Sequence, residues 1–229
     1  MDLKSKIILI AGPTASGKSK IAINLAKKIK GEIVNADSMQ VYKQLKILTA
    51  RPLDKDKKNI KHHLFGIIDV RKRFSTGQWL KKCIKIINLI RKKKRIPIVV
   101  GGTGLYFKAL VDGLAKIPKI KPYEKNKILK LHNKLGQNKF YKELVKVDPI
   151  SKKFVDPNDV NRSIRAFEVK KFTKKSLYKW FKDTKTFFDK DDFVMTYVDR
   201  SRDKLIINIK NRIDRMFDLG AIEEVKKFN

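Results

Sequence analysis

The sequence predicts an α/β protein, a mainly parallel sheet covered by helices on both faces, with an all-helical insertion. Three observations carry this. Short apolar runs alternate with helical patterns through the first half of the chain. The first run opens onto a glycine-rich turn that leads directly into a helix. Residues 115–187 are lysine-rich, helical in periodicity and without a clear strand.

The elements follow in order. Ile7–Ala11 is the first strand, Gly12-Pro-Thr-Ala-Ser-Gly-Lys-Ser19 the turn, and Ile21, Ala22, Leu25, Ala26 and Ile29 recur at helical spacing. This strand–loop–helix is the phosphate-binding loop of a P-loop NTPase-like fold. Glu32–Ala36 reads as a second buried strand that ends at Asp37-Ser-Met-Gln-Val-Tyr42. Thr49-Ala-Arg-Pro52 and the charged Asp54–Lys61 are loop, and Leu64–Val70 is expected to be another strand. After Phe74-Ser75, a long helix runs through Trp79, Ile84, Ile87 and Ile90 into the basic run Arg91–Arg95. Ile96–Val100 is a further buried strand, with Pro97 tolerable near its start, and Gly101-Gly-Thr-Gly-Leu-Tyr106 turns it into a helix. The core's first part thus spans 1–114.

In the insertion, 115–187, helical patterns run through Ile128, Leu129, Leu131 and Leu135, then Phe140, Leu144 and Val145. Residues 188–229 return to the core as a strand, Phe193–Val198, and one final helix on Leu205, Ile209, Ile213 and Met216. That pattern reaches Asn229 without a closing glycine or proline, the mark of a shortened end.

Composition narrows the class. Hydrophobic residues at 42% and charged residues at 34% are those of a soluble globular protein. The apolar runs are too short for a membrane span and no signal peptide precedes them, so a cytoplasmic protein is expected. The single cysteine, Cys83, excludes a disulfide framework and a cysteine-based zinc site, and its isoleucine neighbours read as core. Against 56 lysines and arginines stand 23 acidic residues, a formal net charge of +33. Such a field attracts a polyanion such as RNA; a compositional habit, with lysine spread everywhere, remains equally open. Nothing suggests more than a monomer.

The chemistry starts at the loop. Its glycines let backbone amides curl around phosphate oxygens, with the positive end of the helix behind them. A diphosphate or triphosphate is expected on Gly12, Pro13, Thr14, Ala15, Ser16, Gly17, Lys18 and Ser19, where Lys18 adds a mobile charge and the Ser19 hydroxyl can join Mg²⁺. No Asn-Lys-x-Asp motif supports a GTPase, and no strand ends in the acidic pair of a motor ATPase. Carboxyl ends of parallel strands face the ligand crevice, so Asp37 is expected beside the bound phosphates. There it can orient Mg²⁺ through water or act as a base.

These motifs together resemble the tRNA dimethylallyltransferase (tRNA isopentenyltransferase) family. The resemblance rests on Gly12–Ser19, Asp37–Tyr42, Thr49–Pro52, His62-His-Leu64 and Val99–Tyr106, in that order. It continues through Asp148-Pro149, Asn158-Asp159, Arg162, Arg165-Ala166 and Glu168, then Arg202, Arg212, Met216, Gly220 and Glu223-Glu-Val225. The resemblance implies transfer of a dimethylallyl group from dimethylallyl diphosphate to N6 of an adenosine next to a tRNA anticodon. The loop would then hold diphosphate as a leaving group, with Asp37 as the base. Ser38, Met39 and Gln40 are implied to hold the target adenosine, Thr103 to lie near the transferring centre, Arg202 to be a second cation on the diphosphate, and Lys125 to touch RNA. The insertion would clamp the anticodon stem-loop. The family continues beyond Val225 through further helices.

Several local readings stay open. Thr103 could instead cap the helix after it. Arg162 and Arg165 share a helix face with Glu168, so an intrahelical ion pair competes with an RNA contact. His62 and His63 lack metal-site companions, and Trp79 and Phe74 read as core. The chain departs from the family pattern at Leu48 (usually glycine), Arg51 (lysine), Lys152 (alanine), Phe154 (arginine) and Asn208 (arginine). The competing functions are a P-loop small-molecule or nucleotide kinase and a basic, non-catalytic RNA-binding protein.

Overall fold

The computed structural model describes residue 3 and residues 5–227; the last two residues of the expected final helix lie outside these. The chain divides into two compact units. One joins the segment ending at Asp112 to the segment from Thr186 onward, and the other is Gly113–Lys185.

The first unit is built on β1 (Ile7–Ala11), α1 (Lys18–Ile29), β2 (Gly31–Asn35), β3 (His62–His63), α2 (Thr76–Lys92), β4 (Ile96–Gly101) and α3 (Gly104–Asp112). All the strand pairings are parallel, in the order β3-β2-β4-β1-β5, with β5 at Phe193–Tyr197. Successive strand residues face opposite sides of a sheet. Ile8, Ile10, Ile33, Ile98 and Val100 therefore pack on Ala22, Ile23 and Ala26 of α1. Ile7, Leu9, Val34 and Val99, equally buried, face the other way, where α2 packs on β2 and β4. Pro97 lies opposite Glu32 in the central strand, one position before pairing to β1 begins, so its missing amide interrupts no bond to β1.

Ser75 starts α2 with a reciprocal cap: its hydroxyl accepts from the Gln78 amide and Gln78 Oε1 accepts from the Ser75 amide. Trp79 is fully buried, donates to the Asn35 carbonyl at 2.8 Å and stacks on Tyr106 at 4.2 Å. Cys83 is buried too, which pushes its thiol well above the ordinary range.

Two expectations need correction. The strand expected at Leu64–Val70 is replaced by β3, only His62–His63, followed by a turn. Leu64 (φ 64°) and Gly66 (φ 58°) adopt left-handed backbone, which ends the extended run. An isolated parallel bridge joins Tyr42 to Ile68 within that stretch. The single final helix is two, α7 (Arg202–Asp218) and α8 (Ala221–Lys226), parted by Gly220 at φ 86°.

The second unit is helical: α4 (Pro122–Val147), α5 (Val160–Thr173) and α6 (Leu177–Lys182). Gly136 breaks α4 at φ 72° between the two periodic patterns read from the sequence. Ile128, Phe140, Leu144, Val155, Phe167 and Val169 form its core. Within the unit, Asp148 is 1% exposed and accepts from the Ser151 and Ser176 hydroxyls at 3.0 and 2.9 Å. Among the described residues no helix is long and apolar enough to cross a membrane.

Asp148→Ala leaves two buried hydroxyls without their acceptor. It is expected to destabilise the helical unit by roughly 2 kcal/mol, read as a lower urea midpoint; an unchanged midpoint would show the network to be energetically idle.

Candidate active site

Strands β1, β2 and β4 end together, and a cavity of about 560 Å³ opens beyond them. The loop after β1 supplies Thr14, Ala15, Gly17, Lys18 and Ser19 to its wall. Ala15 (φ 62°) and Gly17 (φ 89°) both take left-handed backbone, the curl that turns successive amides inward. No side chain among the described residues caps α1, and its first turn carries no acidic residue. Its positive end is left for an anion. Gly12, Pro13 and Ser16 lie outside the lining: the Pro13 carbonyl accepts Lys18 Nζ at 2.8 Å, and Ser16 is buried.

Asp37 lines the same cavity. Buried Asn35 positions it, accepting the Asp37 amide at 2.9 Å while donating to the Asp37 carbonyl at 2.9 Å and the Leu64 carbonyl at 3.2 Å. Asp37 Oδ1 accepts from the Met39 amide, and among the described residues nothing hydrogen-bonds Oδ2. Gly101 allows the approach of β4 to this segment, because a Cβ there would lie 2.1 Å from the Ala36 carbonyl oxygen. Thr103 braces Asp37's neighbour. Its hydroxyl accepts from the Ser38 amide at 2.9 Å, so the side chain is spent across the strands and only its carbonyl serves α3, accepting from Tyr106. Ser38, Met39 and Thr103 do not line the cavity, and Met39 is exposed, whereas Gln40 lines it and donates to the Thr49 and Ala50 carbonyls. Tyr106 packs below, and burial, followed by the charges of Tyr42 and Asp37, pushes its phenol up to about 12.

The facing wall holds the residues that sequence reasoning left without a role. Asn208, Arg212 and Arg215 line the cavity from α7. Their spacing of four and three residues puts them on one helix face, a signal available in the sequence. Arg202, the expected second cation, is exposed at the start of α7 and does not line the cavity; it stands some 15 Å of helix away from Arg212. Burial lowers the Lys18 ammonium, which Asp37 opposes and Arg212 reinforces; Arg212 is likewise lowered by burial and partly restored by Asp37. Two partly desolvated cations and one carboxylate thus share one field. Asn208 and Arg200 also donate to the Ala15 and Ser16 carbonyls, at 3.1 and 3.4 Å, and steady the loop from outside. Glu224 of α8 accepts the Lys46, Ile47 and Leu48 amides at 2.7 to 2.9 Å and fixes the loop that carries Lys46, Ala50 and Arg51.

The remaining expected contacts lie elsewhere. Lys125 is exposed on α4. Arg165 makes the expected ion pair with Glu168, at 3.2 Å, whereas Arg162 pairs at 3.4 Å with Asp159, the residue that caps α5. His63 contacts buried Glu32 at 2.6 Å, with Arg95 at 3.2 Å on the other oxygen. Burial raises the Glu32 carboxyl, but His63, Lys93 and Arg95 outweigh it and hold the group below its usual value. Among the described residues no group of three or more histidine, cysteine or acidic side chains is arranged to hold a metal.

The parallel sheet, the curled loop after its β1 strand and the helix behind it define a protein of the P-loop NTPase-like α/β class. An IPP transferase family model matches residues 40–229, and an isopentenyl transferase model residues 5–69. A tRNA dimethylallyltransferase of Pelagibacter ubique is 58% identical over the whole chain, which spans 73% of that protein. One from a Caulobacter species is 40% identical over 97% of the chain and 72% of its own length. A solved eukaryotic dimethylallyltransferase acting on tRNA superposes with a TM-score of 0.82 at 31% identity, covering 97% of this chain and 55% of that one. The full-length tRNA isopentenylpyrophosphate transferase of Bacillus halodurans gives 0.64 at 33% identity, with 97% and 69% covered. The chain belongs to the tRNA dimethylallyltransferase family.

Two measurements probe the cavity. The cationic form of Lys18 favours an anion, and a lowered value means that charge is lost earlier as pH rises. Affinity for inorganic diphosphate should therefore fall through a midpoint below 10.5; calorimetry across an alkaline series finding no fall before 10.5 would contradict the geometry. Arg212→Ala should weaken diphosphate binding about tenfold or more, whereas Arg202→Ala, in exposed surroundings, should change it less than about twofold.

Proposed function

We propose that this chain transfers a dimethylallyl group from dimethylallyl diphosphate to N6 of an adenosine next to a tRNA anticodon, releasing diphosphate. The observation that carries it is the sharing of one cavity by the phosphate loop, Lys18 and Asp37. Family membership supplies the substrates; the cavity supplies a chemistry for them.

Loop amides, Lys18 and Arg212 hold the diphosphate. As the allylic C–O bond breaks, negative charge grows on those oxygens, and donors already in place stabilise it without reorganising. Adenine N6 attacks the allylic carbon, and its excess proton passes to Asp37, since a delocalised amine is a poor nucleophile without a base. Thr103 and Asn35 keep that carboxylate segment in position. The hard oxygen donors Ser19 and Asp37 line the same cavity and suit Mg²⁺, which binds through few protein oxygens together with substrate phosphates. Bound there, Mg²⁺ would neutralise charge on the diphosphate. The helical unit, with exposed Lys125, supplies cations for the anticodon stem-loop, and a tRNA acceptor supports a cytoplasmic reaction.

Labelled dimethylallyl transfer to an anticodon stem-loop tests this. Asp37→Ala should cut transfer by roughly 10²- to 10⁴-fold while diphosphate still binds. ATP consumption without use of the allylic donor, or RNA binding with no product, would overturn the assignment.

A further inference from the structure

The helical unit carries aromatic side chains that its own core does not absorb. Phe140 and Phe167 are buried, as core rings should be. Phe154 and Phe181 are 54% and 51% exposed. They are not scattered. Phe154 lies flat on Tyr178, with 4.4 Å between centroids and 17° between planes, and Phe181 meets Tyr178 edge-on at 5.9 Å and 86°. Tyr178 is the half-buried root of the group, packed against the unit's core. Burying such rings would be worth a few kcal/mol each, so a cluster left in water marks a surface that is used.

The surroundings say what uses it. Lys152 and Lys153 directly precede Phe154, and Lys179 and Lys182 flank Tyr178 and Phe181; all four are exposed. Among the described residues none of them enters an ion pair. Of the neighbouring acids, Asp159 is paired with Arg162 and Asp183 with Lys175, Asp148 is buried on two serine hydroxyls, and exposed Asp156 accepts the Asn158 amide. Burial chiefly raises the Tyr178 phenol, Asp148 and Asp159 add to that, and Arg162 is close enough for its charge to oppose them. Flat rings open to solvent and bordered by unpaired cations are what an unstacked base and its adjoining phosphates require.

We propose that Phe154, backed by Tyr178 and Phe181, is a stacking platform for an unpaired base of the RNA acceptor, with Lys152, Lys153, Lys179 and Lys182 on the adjacent phosphates. One face of the Phe154 ring rests on Tyr178, and the opposite face receives the base. The assignment rests on the RNA-acceptor reading above, yet it fails separately from it. It places a binding contact on the helical unit, with no part in bond making.

The test measures binding of a fluorescein-labelled anticodon stem-loop to the full chain over a salt series, beside a fully paired RNA of equal length. Phe154→Ala should weaken stem-loop binding about tenfold at every salt concentration and leave the slope of affinity against salt unchanged, because stacking releases no counterions. Phe154→Leu keeps apolar bulk on Tyr178 without a planar face and should lose nearly as much, while Phe154→Trp should hold within about twofold. Lys152→Gln with Lys153→Gln should instead flatten the salt slope by about one to two. Binding of the paired RNA should respond to the lysine changes and not to Phe154. Wild-type affinity in Phe154→Ala and Phe154→Leu, or equal losses on paired RNA, would overturn the platform and leave the transfer reading standing. Failure of the unaltered chain to bind either RNA would overturn both.

Discussion

The close contact between the ends of β4 and β2 governs this structure. Gly101 lies so near the Ala36 carbonyl that even a methyl group would collide, and the Thr103 amide bonds that same carbonyl at 3.2 Å. The contact brings the turn after β4 against the segment that carries Asp37, while the pairing of β1 with β4 brings the phosphate loop alongside. Three strand ends are thereby drawn to one opening. The Asp37 carboxylate and the curled loop after β1 meet there because parallel strands deliver their carboxyl ends to the same side of the sheet.

Electrostatics then shapes what the opening accepts. Lys18 and Arg212 are both partly stripped of water, and the charge of Asp37 offsets only part of that cost. Burial disfavours the charged form of both cations, so an anion beside them would offset that cost. The overall charge of +33 acts at longer range, bringing a polyanion to the surface without specifying where it docks.

The end of the chain is tied into this site. Glu224 gathers three successive amides of the 46–48 turn, and residues 200 and 208 hold the outward carbonyls of the phosphate loop. Two departures from the family pattern find a place here. Asn208 substitutes a short neutral donor for an arginine and bonds the Ala15 carbonyl. The Arg51 guanidinium bonds the Tyr42 and Lys43 carbonyls and fills the space over Gly66, where any Cβ would strike it. Leu48 contributes its amide to Glu224, and its half-exposed side chain lines an apolar groove with Ile213, Met216 and Phe217 of α7 and Ile222 and Val225 of α8.

Much of the fold was legible in advance because it is written in local pattern. The phosphate loop, the buried strands at Ile7–Ala11 and Ile96–Val100, the strandless stretch after Leu114 and the place of Asp37 at a strand end all follow from spacing and residue type. Where backbone conformation overrode composition, pattern failed. Leu64 is apolar enough for a strand but turns left-handed, and Gly220 divides what its apolar spacing joined. The sequence alone therefore determined the class of fold, the curled glycine loop after β1 and the strand-end position of Asp37, since each depends on contacts within a few residues or on the direction of neighbouring strands. Tertiary structure alone decided which distant side chains complete the cavity: Arg212 rather than Arg202 faces it, and Thr103 serves Ser38 rather than its own helix. Those choices depend on the rotation of α7 and the separation of two strand ends, quantities set by packing across the whole sheet.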